Sequence, residues 1–186
     1  MSFELKNIYK KYRNNIVLNK FNFKFEEGLY LLRGINGIGK STLLKIMAGI
    51  ILPTNINYSI ENKKVAYLCE KVELVNLKPY EFLNSISKIN NIKNDIKEDL
   101  LKWKIPDINI YNLSKGNKQK VALLMIKYTN VDVYLFDEPT DSLDEEGISL
   151  FLELIKELVD KSKTVIIATH EPSYFMNLLY EEVLLC

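Results

Sequence analysis

The stretch GLYLLRGINGIGKSTLLKIMAGI, residues 28–50, restricts the fold more than any other part of the chain. Its first part, GLYLLRG (28–34), is a short continuous apolar run between glycines and reads as a strand covered on both faces. Its last part, KSTLLKIMAGI (40–50), has Leu43, Leu44 and Met47 at helical spacing. Between them GINGIGKS, Gly34 to Ser41, matches the pattern G-x-x-x-x-G-K-[ST] and stands where that pattern has to stand, after a buried strand and before a helix. Such a loop turns several backbone N–H groups toward one polyphosphate. That requires glycine wherever a side chain would block the approach, and the helix start adds partial positive charge. The residues expected to line the nucleotide are Gly34, Asn36, Gly37, Gly39, Lys40, Ser41 and Thr42, with Lys40 reaching the β- and γ-phosphates and the Ser41 hydroxyl offered to Mg²⁺. The bland alternative is a glycine-rich turn that binds nothing, and the flanking strand and helix argue against it.

The rest of the chain supplies a sheet for this loop. VDVYLF (131–136) and TVIIAT (164–169) are two more buried-type apolar runs, separated by ISLFLELIKELV (148–159), whose apolar residues recur at three and four. Strands alternating with helices predict a parallel sheet. FNFKFEEG (21–28) alternates strictly, and SFELKNI near the start does so more weakly, so an antiparallel β portion is expected at the N-terminus. From Lys71 to Asn112 the composition shifts to Lys, Asn, Ile and Leu, and EFLNSISKI and IKEDLLKW predict two amphipathic helices in a small insert. The fold class is therefore α/β in a single domain over residues 1–186, with the helical insert at about 71–112. A length of 186 residues with 47% hydrophobic and 26% charged residues fits one globular domain.

Composition also removes some partners. Basic and acidic residues number 25 and 24, a formal charge of +1, so the balance does not favour nucleic acid or an acidic membrane surface. Cys69 and Cys186 lie far apart in no metal-type spacing, and His170 is the only histidine; a reducing cytosol is the simplest setting. The apolar runs are shorter than a membrane span, and MSFELKNIYKKY is not a secretory signal, so a soluble, uncleaved chain is expected.

YLFDEP, Tyr134 to Pro139, completes the phosphate loop chemically. Asp137, just after a buried strand, is placed to hold Mg²⁺ through water, and Glu138 to polarise the attacking water. Two acids at a strand end can also be solvated turn residues. Beside a phosphate loop the first reading is stronger, because a parallel sheet brings such strand ends to one edge.

Taken in order, GINGIGKST, LSKGN, VYLFDEPT, DSLD and ATH resemble the ATP-binding cassette ATPases, members of the phosphate-loop NTPases, over nearly the whole chain. The resemblance implies that two cassettes meet head to tail, so that the signature helix of one chain, here opening at Leu113 to Asn117, caps the γ-phosphate held by the other. Ser114 and Gly116 would be its nucleotide-binding residues. A hydroxyl cap, accessible N–H groups and a helix dipole suit that task, although Ser114 also reads simply as an N-cap. By the same resemblance Tyr12 stacks on adenine, with Tyr9 as its rival; Lys40 and Glu138 are catalytic; Asp144 lies in the loop that crosses the dimer; and His170 senses the γ-phosphate. DSLDE reads in addition as a capping box pairing Ser142 with Glu145, and a lone histidine is often structural.

Two departures stand out. Lys115 and Asn117 replace the usual glycine and glutamine of the signature, a variant that resembles members serving small bacterial exporters. Where the family places a glutamine contacting Mg²⁺, after VAYLC, this chain has Glu70, which would be a charged metal ligand beside Ser41 and Asp137. The resemblance implies an Mg²⁺-dependent ATP hydrolase acting as a homodimer or heterodimer. It would be docked through the helical insert on a separate transmembrane permease, cytoplasmic and peripheral on the inner face of the membrane, with export as the direction. A DNA-repair cassette would carry heptads and a basic face, and a translation-associated one two nucleotide domains; neither is present in this sequence. A nucleotide-gated binding or immunity module with little hydrolysis is the alternative that Glu70 and the altered signature motivate.

Overall fold

The computed structural model describes residues 2–70, 75–93 and 95–185. The start of the expected insert at Lys71 and the second cysteine, Cys186, lie outside them. The chain divides into two units, Met1–Tyr67 with Val131–Glu138 and Ile155–Cys186, and Leu68–Asn130 with Pro139–Leu154.

The first unit contains two sheets. Strands β1 (Phe3–Tyr12), β2 (Asn15–Phe25) and β4 (Ser59–Ile60) form a three-stranded sheet in the order β2-β1-β4, with both pairings antiparallel. The second sheet has the order β5-β6-β7-β3-β8, from β3 (Gly28–Arg33), β5 (Val65–Leu68), β6 (Val133–Asp137), β7 (Thr164–Ala168) and β8 (Glu181–Leu184). Strand β3 pairs parallel with both β7 and β8, and β6 parallel with β7. Every residue of β6 and β7 is buried. Alternate positions, Tyr30, Leu32, Leu135, Ile166 and Ala168, join one apolar cluster with Leu43, Leu44 and Met47 of helix α1 (Lys40–Met47) and with Phe3, Leu5 and Phe25 of the antiparallel sheet. The positions between them, such as Leu31, Phe136 and Ile167, are fully buried as well. That double coverage is why these strands are written as continuous apolar runs.

The N-terminal hairpin is longer than its alternating sequence indicates. The β1–β2 register shifts between Leu5 and Ile8, between Ile8 and Lys10 and again between Lys10 and Lys11, and Asn7 and Lys20 have positive φ. Each bulge inverts the in–out alternation, so the period-2 signal fades although pairing continues to Tyr12 and Asn15.

The second unit holds α2 (Pro79–Ile89), α3 (Ile96–Lys102), α4 (Lys115–Lys127) and the first part of α5 (Glu145–Asp160). Pro79 opens α2, and the Asp95 carboxylate caps α3 by accepting from the N–H groups of Lys97 and Glu98, each at 3.0 Å. The two helices expected in the insert are thus α2 and α3. Buried Asp99 ties α3 to the end of α4, accepting from Lys127 Nζ at 2.8 Å and from the Tyr128 hydroxyl at 2.6 Å. One local expectation is corrected. The cap of α5 is Asp144, whose Oδ1 accepts from Gly147 N–H at 2.8 Å, and not a box of Ser142 with Glu145, because the helix begins two residues later than that box requires. Among the described residues no helix is long and apolar enough to cross a membrane.

Candidate nucleotide site and signature helix

The loop from Gly34 to Gly39 joins the C-terminal end of β3 to the N-terminus of α1. Asn36 and Gly37 lie in its exposed turn, whereas Gly39 is buried. Glycine is required at 39. Its φ is +121°, and a Cβ there would stand 2.7 Å from Val17 Cγ1 and 3.0 Å from the Val17 carbonyl oxygen. Lys40 is 6% exposed, and its ammonium donates to the Gly34 carbonyl at 2.8 Å, so the side chain folds back over the loop that it follows. Thr42 is half-buried in the first turn of α1.

Ser41 meets the end of β6. Its hydroxyl donates to Asp137 Oδ1 at 2.9 Å, and the Tyr67 hydroxyl donates to Asp137 Oδ2 at 3.0 Å. A hydroxyl that gives its hydrogen to a carboxylate keeps its oxygen lone pairs for a cation. The donor set, one hydroxyl and one carboxylate at a helix start, is of the hard-oxygen kind that Mg²⁺ takes when it retains several waters. The residues therefore fit the ion.

Glu138 follows directly, with φ +48° and its N–H donating to the Ala168 carbonyl at 2.9 Å. A left-handed backbone is uncommon for a residue with a Cβ and turns the side chain out of the strand's alternation. Glu138 Oε2 accepts from the His170 backbone N–H at 3.1 Å and lies 2.9 Å from His170 Nδ1. Because a carboxylate only accepts, Nδ1 carries a proton, which leaves Nε2 directed elsewhere on a ring whose side chain is about half exposed. Both acids of YLFDEP are thus engaged by partners distant in sequence and are not free turn residues.

Tyr12 ends β1, 47% exposed, with Lys10 Nζ 5.1 Å from its ring centroid. One face of an exposed tyrosine next to a cation suits stacking. Tyr9, the rival, lies beside Asn55, to whose side chain its N–H donates at 3.1 Å.

In the second unit Ser114 is the N-cap of α4, its Oγ accepting from Asn117 N–H at 3.2 Å, and it is exposed. Lys115 is exposed as well. Behind this tip, α4 seats the segment 139–144 through three consecutive contacts on one face. A Cβ on Gly116 would meet the Ser142 carbonyl oxygen at 2.7 Å; buried Gln119 donates to the Pro139 carbonyl at 3.0 Å; and buried Lys120 pairs with Asp144 at 3.0 Å. Positions 116, 119 and 120 are a helical i, i+3, i+4 set. The Lys120 ammonium, and then the Gly147 N–H, hold the Asp144 carboxyl below the usual carboxylate range. Gln119, Lys120 and Tyr67 were not among the residues singled out from the sequence. Gln119 and Lys120 carried a signal, polar side chains on the inward face of an otherwise apolar helix, while Tyr67 looked like one more strand aromatic. Glu70 is exposed at the start of this second unit.

Comparison with known proteins agrees with this architecture. The model of the ABC transporter family matches residues 18–141. An ABC transporter ATP-binding protein of Methanocaldococcus jannaschii is 34% identical over 90% of this chain and 68% of its own. The zinc import ATP-binding protein of Wigglesworthia glossinidia brevipalpis is 33% identical over 90% of this chain and 75% of its own. Among solved structures, an ABC transporter ATP-binding protein from Pyrococcus furiosus superposes with a TM-score of 0.81 over 100% of this chain and 98% of that one, at 21% identity, which speaks for the fold alone. The family match over residues 18–141 covers the phosphate loop, the signature and YLFDEP, the relatives extend the likeness over 90% of the chain, and the chain belongs to the ABC transporter family of ATP-binding proteins.

Proposed function

We propose that this chain is one ATPase domain that binds and hydrolyses ATP as a dimer and drives a separate membrane-embedded permease. The observation that carries the reading is the Ser41–Asp137 contact of 2.9 Å beside the Glu138–His170 pair of 2.9 Å, which gathers a cation-binding pair and a water-orienting pair at the ends of adjoining strands β6 and β7 and the start of α1. Phosphoryl transfer needs mostly positioning and compensation of charge. Lys40 and the N–H groups from Gly34 to Thr42 hold the β- and γ-phosphates, with Asn36, Gly37 and Gly39 shaping the cradle, and Tyr12 stacks on the base. Ser41 and Asp137 hold Mg²⁺, which neutralises phosphate charge when bound; the charge of Glu70, where the resemblance expects a glutamine, is the feature that sets this chain's metal chemistry apart. Glu138 orients the attacking water, while His170, held through Nδ1, presents Nε2 to the γ-phosphate. Ser114 and Gly116 at the tip of α4 serve the nucleotide of the partner copy.

The membrane-facing surface in this reading is the helical insert, and the chain works from the cytoplasmic side. Export is supported by the LSKGN variant of the signature. Import has its own support in the zinc import relative, and transport by the reconstituted complex decides between them. The hydrolysis reading is tested with purified protein and its co-purified membrane partner. Glu138→Gln is expected to abolish turnover, about 10²–10³-fold as for loss of a catalytic group, and to accumulate a nucleotide-bound dimer visible by light scattering. Wild-type hydrolysis no higher than that of Glu138→Gln would refute an enzyme and leave a nucleotide-gated binding module, the reading that Glu70 and Lys115 favour.

A further inference from the structure

Asp137 is 3% exposed, and both of its carboxylate oxygens receive a hydroxyl: Oδ1 that of Ser41 and Oδ2 that of Tyr67. Tyr67 comes from β5, next to β6 in the sheet, and its half-buried ring packs against the apolar cluster of the first unit. The ring is thus anchored by packing while the hydroxyl reaches Asp137 Oδ2. A carboxylate only accepts hydrogen bonds, so the direction of this contact is fixed: the phenol donates. We infer that Tyr67 is a positioning residue of the metal site, holding the carboxylate plane of Asp137 so that Oδ1 stays with Ser41. The inference rests on the reading of Ser41 and Asp137 as the pair that holds Mg²⁺.

Rotation about the Asp side-chain χ2 is broad and roughly two-fold, so a carboxylate bonded through one oxygen is poorly oriented. Two donors from different elements, α1 and β5, remove that freedom. Partners of a metal ligand in the outer layer set its orientation, and their loss typically weakens metal binding 10- to 100-fold. Tyr67 donates to Asp137 from outside the phosphate loop, and phenylalanine at this position would keep the ring and its packing while removing one hydroxyl.

The test is Tyr67→Phe in the full chain, read by Mn²⁺ titration with electron paramagnetic resonance in the presence of a non-hydrolysable ATP analogue. Nucleotide affinity is measured in parallel without metal, in EDTA, using a fluorescent analogue. Mn²⁺ affinity is expected to fall about 10-fold while metal-free nucleotide affinity stays within two-fold, roughly the lower end of the effect for such partners. An unchanged Mn²⁺ affinity, or an equal fall in metal-free nucleotide binding, would overturn the inference; the second result would mean that the phenol supports the loop as a whole. Should Tyr67→Phe not fold, 3-fluorotyrosine placed at 67 in the otherwise wild-type chain gives the same answer by ¹⁹F resonance, expected to shift on adding Mg²⁺ to the nucleotide complex and overturning the inference if it does not. A wild-type chain that binds no nucleotide-dependent Mn²⁺ refutes the metal reading itself, a failure distinct from equal binding by wild type and variant.

Discussion

Gly116→Ala separates two reasons for a glycine in the signature. If the glycine serves only to leave backbone N–H groups open to a partner's phosphate, the ligand-free protein has no need of it. The substitution would then stabilise by up to about 1 kcal/mol through helix propensity. The structure gives a different reason. The added Cβ would lie 2.7 Å from the carbonyl oxygen of Ser142, whereas ordinary contact begins at 3.4 Å, so one side must give way by about 0.7 Å. The loop cannot yield easily, because Gln119 holds it at Pro139 and Lys120 at Asp144, on either side of Ser142. Overpacking of this kind costs about 1–3 kcal/mol, which exceeds the propensity gain and leaves a net loss of about 1 kcal/mol. For a chain of this size that is a drop in Tm of about 2–4 °C. Calorimetry of the nucleotide-free protein measures it, with exposed Lys115→Ala as a control expected within about 0.5 kcal/mol of wild type. A Tm for Gly116→Ala equal to or above that of wild type would refute the packing argument and return the glycine to the phosphate alone.

Gln119→Leu keeps the bulk but takes the described donor from the buried Pro139 carbonyl, and thermal unfolding is expected to show a loss of about 1–3 kcal/mol. Asp99→Ala leaves the Lys127 ammonium and the Tyr128 hydroxyl without their shared acceptor; urea denaturation is expected to give a loss of about 3 kcal/mol, with Asp99→Asn less severe. The same cluster sets a pH dependence. Burial, and then the hydrogen bond to Asp99 and its negative charge, raise the Tyr128 phenol well above its ordinary value, so its contribution to stability is complete below about pH 10 and is lost as the unfolded chain ionises above it. Denaturation midpoints between pH 8 and 11 should therefore fall more steeply in wild type than in Tyr128→Phe, and parallel curves would remove Tyr128 as the cause.

The parts of the site that could be read from the sequence are those where one residue type is the only solution to a local problem. Gly39 is such a case: positive φ and a carbonyl at 3.0 Å admit no side chain, so the glycine appears in the string and marks the loop. The buried strands were legible for a related reason, since coverage on both faces leaves no polar position to interrupt the run. What escaped was set by partners distant in sequence. Tyr67 and Asp137 are 70 residues apart, and Gln119 and Pro139 are 20, so neither pair leaves a periodic trace. The β1–β2 bulges erased a period that would otherwise have extended the hairpin to Tyr12. Asp144 shows the mixed case. The string DSLDE offers two acceptors for one helix start, Ser142 and Asp144, and local chemistry ranks them nearly equal. Lys120 decides between them: with its ammonium buried against α4, a charged acceptor at 144 satisfies both the lysine and the Gly147 N–H, which a serine two residues earlier cannot do. The cap of α5 and the seating of the loop on α4 are therefore one arrangement. It follows that Asp144→Ser should keep much of the helix cap yet lose the pairing with Lys120.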